Sequence, residues 1–91
     1  MTLLPTEFNI VLGVEGRAIA VAVSGDVDVR CASRLADLVL EILRAGHRHL
    51  VVDLERAGAV DPVGLRTLRQ AVKRCRSQGA EAELRLAGSA P

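Results

Sequence analysis

Residues 53–68 read DLERAGAVDPVGLRTL, and this stretch decides the fold class. It continues an apolar run at 49–54 that has the composition of a buried strand, passes through a glycine-containing segment, and reaches Asp61 and Pro62. Aspartate is a favoured N-cap because its carboxylate accepts a backbone N–H of the first helical turn, and proline at the first helical position loses no hydrogen bond. The stretch therefore predicts a strand, a short loop, and a helix that begins at Asp61.

The flanking segments extend this pattern to the order β, β, α, β, α, β. An alternating segment at 6–14 and an apolar run at 18–24 predict a hairpin, whose second strand is buried on both faces and ends at Gly25. One apolar stripe in 32–44 predicts an amphipathic helix, and residues 82–87 alternate as a last strand. A helix between two strands indicates parallel pairing with a right-handed crossover. We therefore predict an α/β fold with an open mixed sheet of four strands and two helices.

The composition indicates one small domain, residues 1–91, with an aliphatic core. The chain is 49% hydrophobic, and Phe8 is its only aromatic residue, which suits a sheet covered by helices. Lys and Arg number 12 against 11 acidic residues, so the net charge of +1 gives no reason to expect a nucleic-acid partner. The longest apolar run, 18–23, is too short to span a bilayer. We expect a cytoplasmic protein without direct membrane insertion.

No motif in the chain points to catalysis. There is no glycine-rich phosphate loop and no Ser-His-Asp set that the topology would bring together. Cys31 and Cys75 lack metal-ligand spacing with His47 or His49, and we interpret them as reduced core thiols. We expect no enzyme activity, no cofactor and no metal site, with the two histidines on the surface at the far end of the sheet.

Two motifs together resemble the STAS domain, the fold of anti-sigma factor antagonists. Residues 61–65 read Asp-Pro-Val-Gly-Leu, where the family usually has Asp, Ser, Ser or Thr, Gly, Leu. Residues 25–28 read Gly-Asp-Val-Asp, which is similar to the family's Gly, Glu, Leu, Asp. In the family, the second hydroxyl residue of the first motif is phosphorylated by the partner anti-sigma kinase. Here Pro62 and Val63 replace both hydroxyl residues, so Val63 cannot accept a phosphate.

The resemblance implies a regulatory protein that acts by partner switching. Its unmodified surface would bind an anti-sigma factor, a histidine-kinase-like ATPase, and free a sigma factor for transcription. Thr67 lies one helical turn beyond Val63 and is the first candidate for a relocated phosphoacceptor, ahead of Ser24 and Ser33. Two alternatives stay open: a STAS subunit of an ABC-type lipid transporter, and a degenerate STAS scaffold or dimerisation module.

The same resemblance places the partner-binding residues at the carboxyl ends of the strands and on the second helix. The set is Asp28, Asp61, Pro62, Val63, Gly64, Arg66 and Arg69. Simpler interpretations remain open, because the two aspartates are suited to capping and loop hydrogen bonds. The two arginines also continue through Lys73 to Arg76 as one helix face, which is either solvated or attracts an acidic partner.

The end of the chain carries one further expectation. Family members usually continue into another helix, whereas this sequence stops at Pro91 and would leave an apolar strip near Leu84 and Leu86. Either the chain is shorter than the natural protein, or a partner or a second copy covers the strip. A two-fold homodimer is the simplest form of the last case.

Overall fold

The computed structural model describes residues 8–87 and has a four-stranded mixed sheet with two helices. The elements are β1 (Phe8–Glu15), β2 (Ala18–Val27), α1 (Val29–Arg44), β3 (His49–Val60), α2 (Pro62–Ser77) and β4 (Glu81–Leu86). The sheet order is β1-β2-β3-β4, with β1 antiparallel to β2 and the remaining pairs parallel. The predicted α/β class, element order and hairpin are therefore confirmed. Residues 6 and 7, predicted in the first strand, lie outside the described residues.

Both helices lie on one face of the sheet, because both right-handed crossovers move in the same direction along it. They pack against each other and against the strands around an aliphatic core. Its largest fully buried side chains include Val21, Val23, Leu35, Val52, Leu54 and Leu68. Burying one such side chain contributes about 1.5–3 kcal/mol. Alternate residues of β2 turn away from the helices and are only half buried, so the prediction that β2 is buried on both faces is wrong.

Arg85 joins the two edge strands across the face that carries no helix. Its Nη1 lies 2.9 Å from Oε2 of Glu15 on β1, and its Nε lies 2.8 Å from Oε2 of Glu83. The hydrogen bonds with Glu15 and then Glu83 raise the pKa of Arg85, which is charged at all working pH values. The ion pair with Glu15 therefore connects the first strand to the last over the two central strands.

β3 is longer than the sequence predicted because it contains two bulges. Between the partners of Ala22 and Ser24, and again between those of Gly25 and Val27, β3 uses three residues where β2 uses two. Each bulge accommodates one extra residue without ending the ladder. The strand end predicted at Gly25 and the loop predicted at 55–60 are therefore both wrong.

Two aspartates bind the N–H groups of the bulged segment. Asp53 Oδ1 accepts from the backbone N–H of Glu55 at 2.9 Å, and Asp26 Oδ1 accepts from that of Ala59 at 2.9 Å. A Cβ built on Gly58 would collide with Oδ1 of Asp26, so glycine leaves the space that this carboxylate needs. Residues 55–60 thus resemble a loop in the sequence, but in the structure they form the bulged part of β3.

Candidate functional site

The bulged end of β3 places the start of α2 beside the start of α1. Val27 pairs with Val60, and the Asp61 N–H donates to the Val27 carbonyl at 2.9 Å. The residues that follow these two strands, Asp28 and Asp61, are the N-caps of α1 and α2. The structure therefore brings the two aspartates to one edge, at the carboxyl ends of parallel strands.

Both carboxylates are engaged in capping. Asp61 Oδ1 accepts from the N–H of Val63 at 2.7 Å and from that of Gly64 at 3.3 Å. Asp28 Oδ1 accepts from the N–H of Cys31 at 2.8 Å. Helix α1 begins directly after this cap, three residues earlier than its apolar stripe indicated. Such caps contribute roughly 0.5–2 kcal/mol each, and their negative charge suits a helix N-terminus. Capping accounts for the aspartates at these positions.

Gly64 allows the first turn of α2 to rest on the first turn of α1. A Cβ built on Gly64 would lie 3.1 Å from Cβ of Ala32 and 3.2 Å from the carbonyl oxygen of Asp28. Gly64 is itself buried. It therefore positions the two helix starts and offers no side chain to a partner.

Apolar side chains remain exposed at this edge, next to the exposed charged residues Asp28 and Arg30. Val29, the first residue of α1, is 48% exposed, and Val63, the second residue of α2, is 53% exposed. Pro62 is exposed beside Val63. The other large hydrophobic side chains exposed within residues 8–87 all belong to β1. We refer to Val29, Pro62 and Val63 as the edge patch.

Val29 is the residue of this patch that sequence reasoning missed. The available signal was a β-branched apolar side chain directly after the cap Asp28, outside the apolar stripe of the helix. A residue in that position begins a helix but does not face its core. A search for such residues after both caps would have found Val29 together with Val63.

Arg66 and Arg69 are both exposed on α2. Arg66 lies one helical turn from Val63, whereas Arg69 lies about 9 Å along the helix from Val63 by the rise per residue. Arg69 instead lines a groove between α2 and β4. Thr67, the candidate for a relocated phosphoacceptor, is half buried, and its Oγ1 donates to the Val63 carbonyl at 3.2 Å.

The two cysteines and His49 lie inside the core or away from the edge patch. Cys31 and Cys75 are free, buried thiols; burial, and secondly the charge of Asp28, raises the pKa of Cys31 to about 11. Burial also raises the pKa of Cys75. His49 is the first residue of β3 and lies at the opposite end of the strands from the edge patch, with Nε2 3.7 Å from Oε1 of Glu81. Within residues 8–87, no three His, Cys, Asp or Glu side chains are grouped to hold a metal ion.

Neither α1 nor α2 is long and apolar enough to cross a bilayer.

A known protein family matches the part of the chain that contains both motifs. The family described as "Mlab, STAS domain" matches residues 10–90, which include residues 25–28, residues 61–65 and the whole edge patch. The chain belongs to the STAS family. The confirmed resemblance therefore covers all six elements except the first two residues of β1.

Solved structures share the fold of this STAS chain. Mglu superposes with a TM-score of 0.71 and 26% identity, over 89% of this chain and 19% of Mglu, so the chain spans about a fifth of that protein. An anti-sigma factor antagonist from Mycobacterium paratuberculosis gives a TM-score of 0.74 and 20% identity, over 89% of this chain and 68% of the antagonist. The STAS domain of an antisigma-factor antagonist from Rhodobacter sphaeroides gives 0.61 and 25%, over 89% and 86%. No curated protein matches in sequence.

Proposed function

We propose that this STAS protein is an anti-sigma factor antagonist that acts in the cytoplasm by binding, not by catalysis. The observation that carries the proposal is the edge patch, in which Val29 and Val63 are about half exposed at the start of two helices. Two anti-sigma factor antagonists are among the proteins that share the fold. The partner would be an anti-sigma factor of the histidine-kinase-like ATPase class, and binding would free a sigma factor.

The edge patch suits binding because it is apolar and preorganised. Both helix starts are capped, and the Gly64 contact with Asp28 fixes their separation. A partner that covers the patch therefore orders few side chains, and such preorganisation lowers the cost of binding. Removing the exposed methyl groups of Val29 and Val63 from water contributes about 0.8 kcal/mol for each buried CH₂ equivalent.

In the wild-type protein this edge neither carries a phosphoacceptor at position 63 nor leaves the N–H groups of Val63 and Gly64 free for an anion. Val63 offers no hydroxyl, and the N–H groups of Val63 and Gly64, which would receive an anion at a helix start, already donate to Asp61. In this proposal the protein is always competent to bind, and it is controlled by its abundance or by modification elsewhere.

Site-specific photo-crosslinking in cells tests the proposal. A photoreactive amino acid replaces Val63 in one variant and Gln70, an exposed residue of α2 outside the patch, in a control variant. We expect a crosslink from position 63 to a protein with a histidine-kinase-like ATPase domain, and none from position 70. A crosslink from position 63 to a transport ATPase would favour the transporter subunit instead. A product that contains only a second copy of the chain would favour a dimerisation module.

A further inference from the structure

We propose that the groove between α2 and β4 is a second docking surface, which binds an acidic amphipathic helix of a partner protein. The groove has a volume of about 340 Å³. It is lined by Arg69, Val72, Lys73, Arg76, Leu84 and Leu86. These six residues define what we call the α2/β4 groove, and it is separate from the edge patch.

The groove has an apolar floor and a cationic rim. Val72 is buried, and Leu84 and Leu86 are half buried against the core. The rim residues Arg69, Lys73 and Arg76 are exposed, and their i, i+4, i+7 spacing puts them on one face of α2. Among residues 8–87, no acidic residue lines the groove.

The rim charges are not neutralised from within the described chain. The ion pairs of residues 8–87 involve His49 and Arg85, and neither Arg69 nor Lys73 takes part in one. Glu83 and Arg85 alternate with Leu84 and Leu86 along β4, so these two charged residues lie on the opposite face of the sheet, where Arg85 also binds Glu15 of β1. The groove therefore presents a net positive charge to whatever occupies it.

The occupant is a helix and not an added strand. β4 is the last strand of the sheet, and such an edge can normally pair with another chain. Here Nε of Arg76 donates to the carbonyl oxygen of Ala82 at 2.8 Å. The Ala82 carbonyl is therefore already hydrogen-bonded, which disfavours the pairing of an added strand at that position. An amphipathic helix needs no backbone hydrogen bonds from the groove and binds through apolar anchors.

Charge decides between an acidic partner and a second copy of this chain. A two-fold dimer through the groove would bring the cationic face of α2 against itself, and like charges across an interface are destabilising. Acidic side chains flanking the apolar anchors would instead pair with Arg69 and Lys73.

Binding of two matched synthetic peptides to the intact protein tests the proposal. Each peptide has about four helical turns with leucines at i, i+3, i+4 and i+7. The flanking residues are glutamate in the first peptide and lysine in the second. By fluorescence anisotropy at low salt, we expect the acidic peptide to bind at least about tenfold more tightly, with weaker binding as salt screens the charges. Methyl NMR signals of Leu84 and Leu86 should shift on binding.

Charge-reversal variants distinguish peptide binding in the α2/β4 groove from a general electrostatic attraction to the protein. The double variant Arg69→Glu/Lys73→Glu should bind the acidic peptide at least about tenfold more weakly, because both rim charges then repel it. Arg30→Glu/Arg34→Glu makes the same change in net charge on exposed residues of α1 and should bind as the wild type does.

Three results would overturn the proposal. Equal affinity for the two peptides would remove the role of charge, and an equal loss in both double variants would show non-specific attraction. A homodimer in analytical ultracentrifugation that Arg69→Glu/Lys73→Glu abolishes would assign the groove to a second copy of the chain.

Discussion

Gly64 of α2 lies against the main chain of Asp28 at the start of α1. A Cβ at position 64 would be 3.2 Å from the Asp28 carbonyl oxygen. That oxygen already accepts the N–H of Ala32 at 2.9 Å, so it cannot shift without weakening the first hydrogen bond of α1. The contact therefore holds the two valines of the edge patch in a fixed arrangement.

The Gly64 contact can be tested through stability. Alanine in place of a helical glycine normally stabilises by about 1 kcal/mol. We expect Gly64→Ala instead to lower the free energy of unfolding by roughly 1 kcal/mol, because the added methyl group overpacks the junction. Urea denaturation measures the change. Gly13→Ala, where no atom lies within 4 Å of the new Cβ, should change stability by less than about 0.5 kcal/mol. A more stable Gly64→Ala protein would contradict the contact.

A double-mutant cycle tests the second bulge. Asp26→Ala removes the acceptor for the Ala59 N–H and should cost roughly 0.5–1.5 kcal/mol. Gly58→Ala should cost a similar amount, because its methyl group displaces the same carboxylate. In the Asp26→Ala background the Gly58→Ala change should cost little, so the two effects are not additive. Additive losses in urea denaturation would show that the two residues act independently.

The buried thiol of Cys31 predicts a dependence of stability on alkaline pH. Its pKa is about 11 in the folded protein against an ordinary value of 9.0, so the folded state disfavours the thiolate. The stability from this group is complete below about pH 9 and is lost as the pH rises toward 11. The unfolding free energy of Cys31→Ala should fall less steeply than that of the wild type over this range. Identical slopes would contradict the assignment.

Phosphorylation provides a gain-of-function prediction. Incubation with the anti-sigma kinase and ATP should leave residues 61–65 of the wild type unmodified in peptide mass spectrometry. Val63→Ser restores a hydroxyl at the edge patch, and we expect it to become phosphorylated at position 63. Phosphate on the wild-type protein that disappears in Thr67→Val would identify Thr67 as the relocated acceptor. A kinase that binds Val63→Ser but leaves it unmodified would contradict the proposed docking of this edge.

The start of α2 was predictable from local sequence, whereas the end of β3 was not. Asp61 followed by Pro62 determines a helix start through interactions within a few residues. In contrast, Glu55 and Gly58 resemble loop residues, and the carboxylate that supports the second bulge comes from Asp26, far away in the sequence. The local sequence pattern around residues 55–60 therefore gives no sign of this hydrogen-bond partner.

The candidate site was likewise predictable from the sequence only in part. Pro62 and Val63 were found because they interrupt a known motif, and the parallel strands placed Asp28 beside Asp61. Val29 was missed because its exposure depends on where α1 begins. Arg69 was assigned to the same surface as Val63, and the structure separates them because successive helical residues face different directions.

The affinity of the purified anti-sigma partner for Val63→Glu tests the central claim most directly. Isothermal titration calorimetry would compare it with the wild type and with Gln70→Glu, which adds the same charge elsewhere on α2. We predict that Val63→Glu weakens binding by at least about 1–2 kcal/mol, roughly five- to thirtyfold, because an unpaired charge enters the contact. Gln70→Glu should bind as the wild type does. A Val63→Glu protein that is folded by circular dichroism and keeps full affinity would contradict the claim that the edge patch binds the partner.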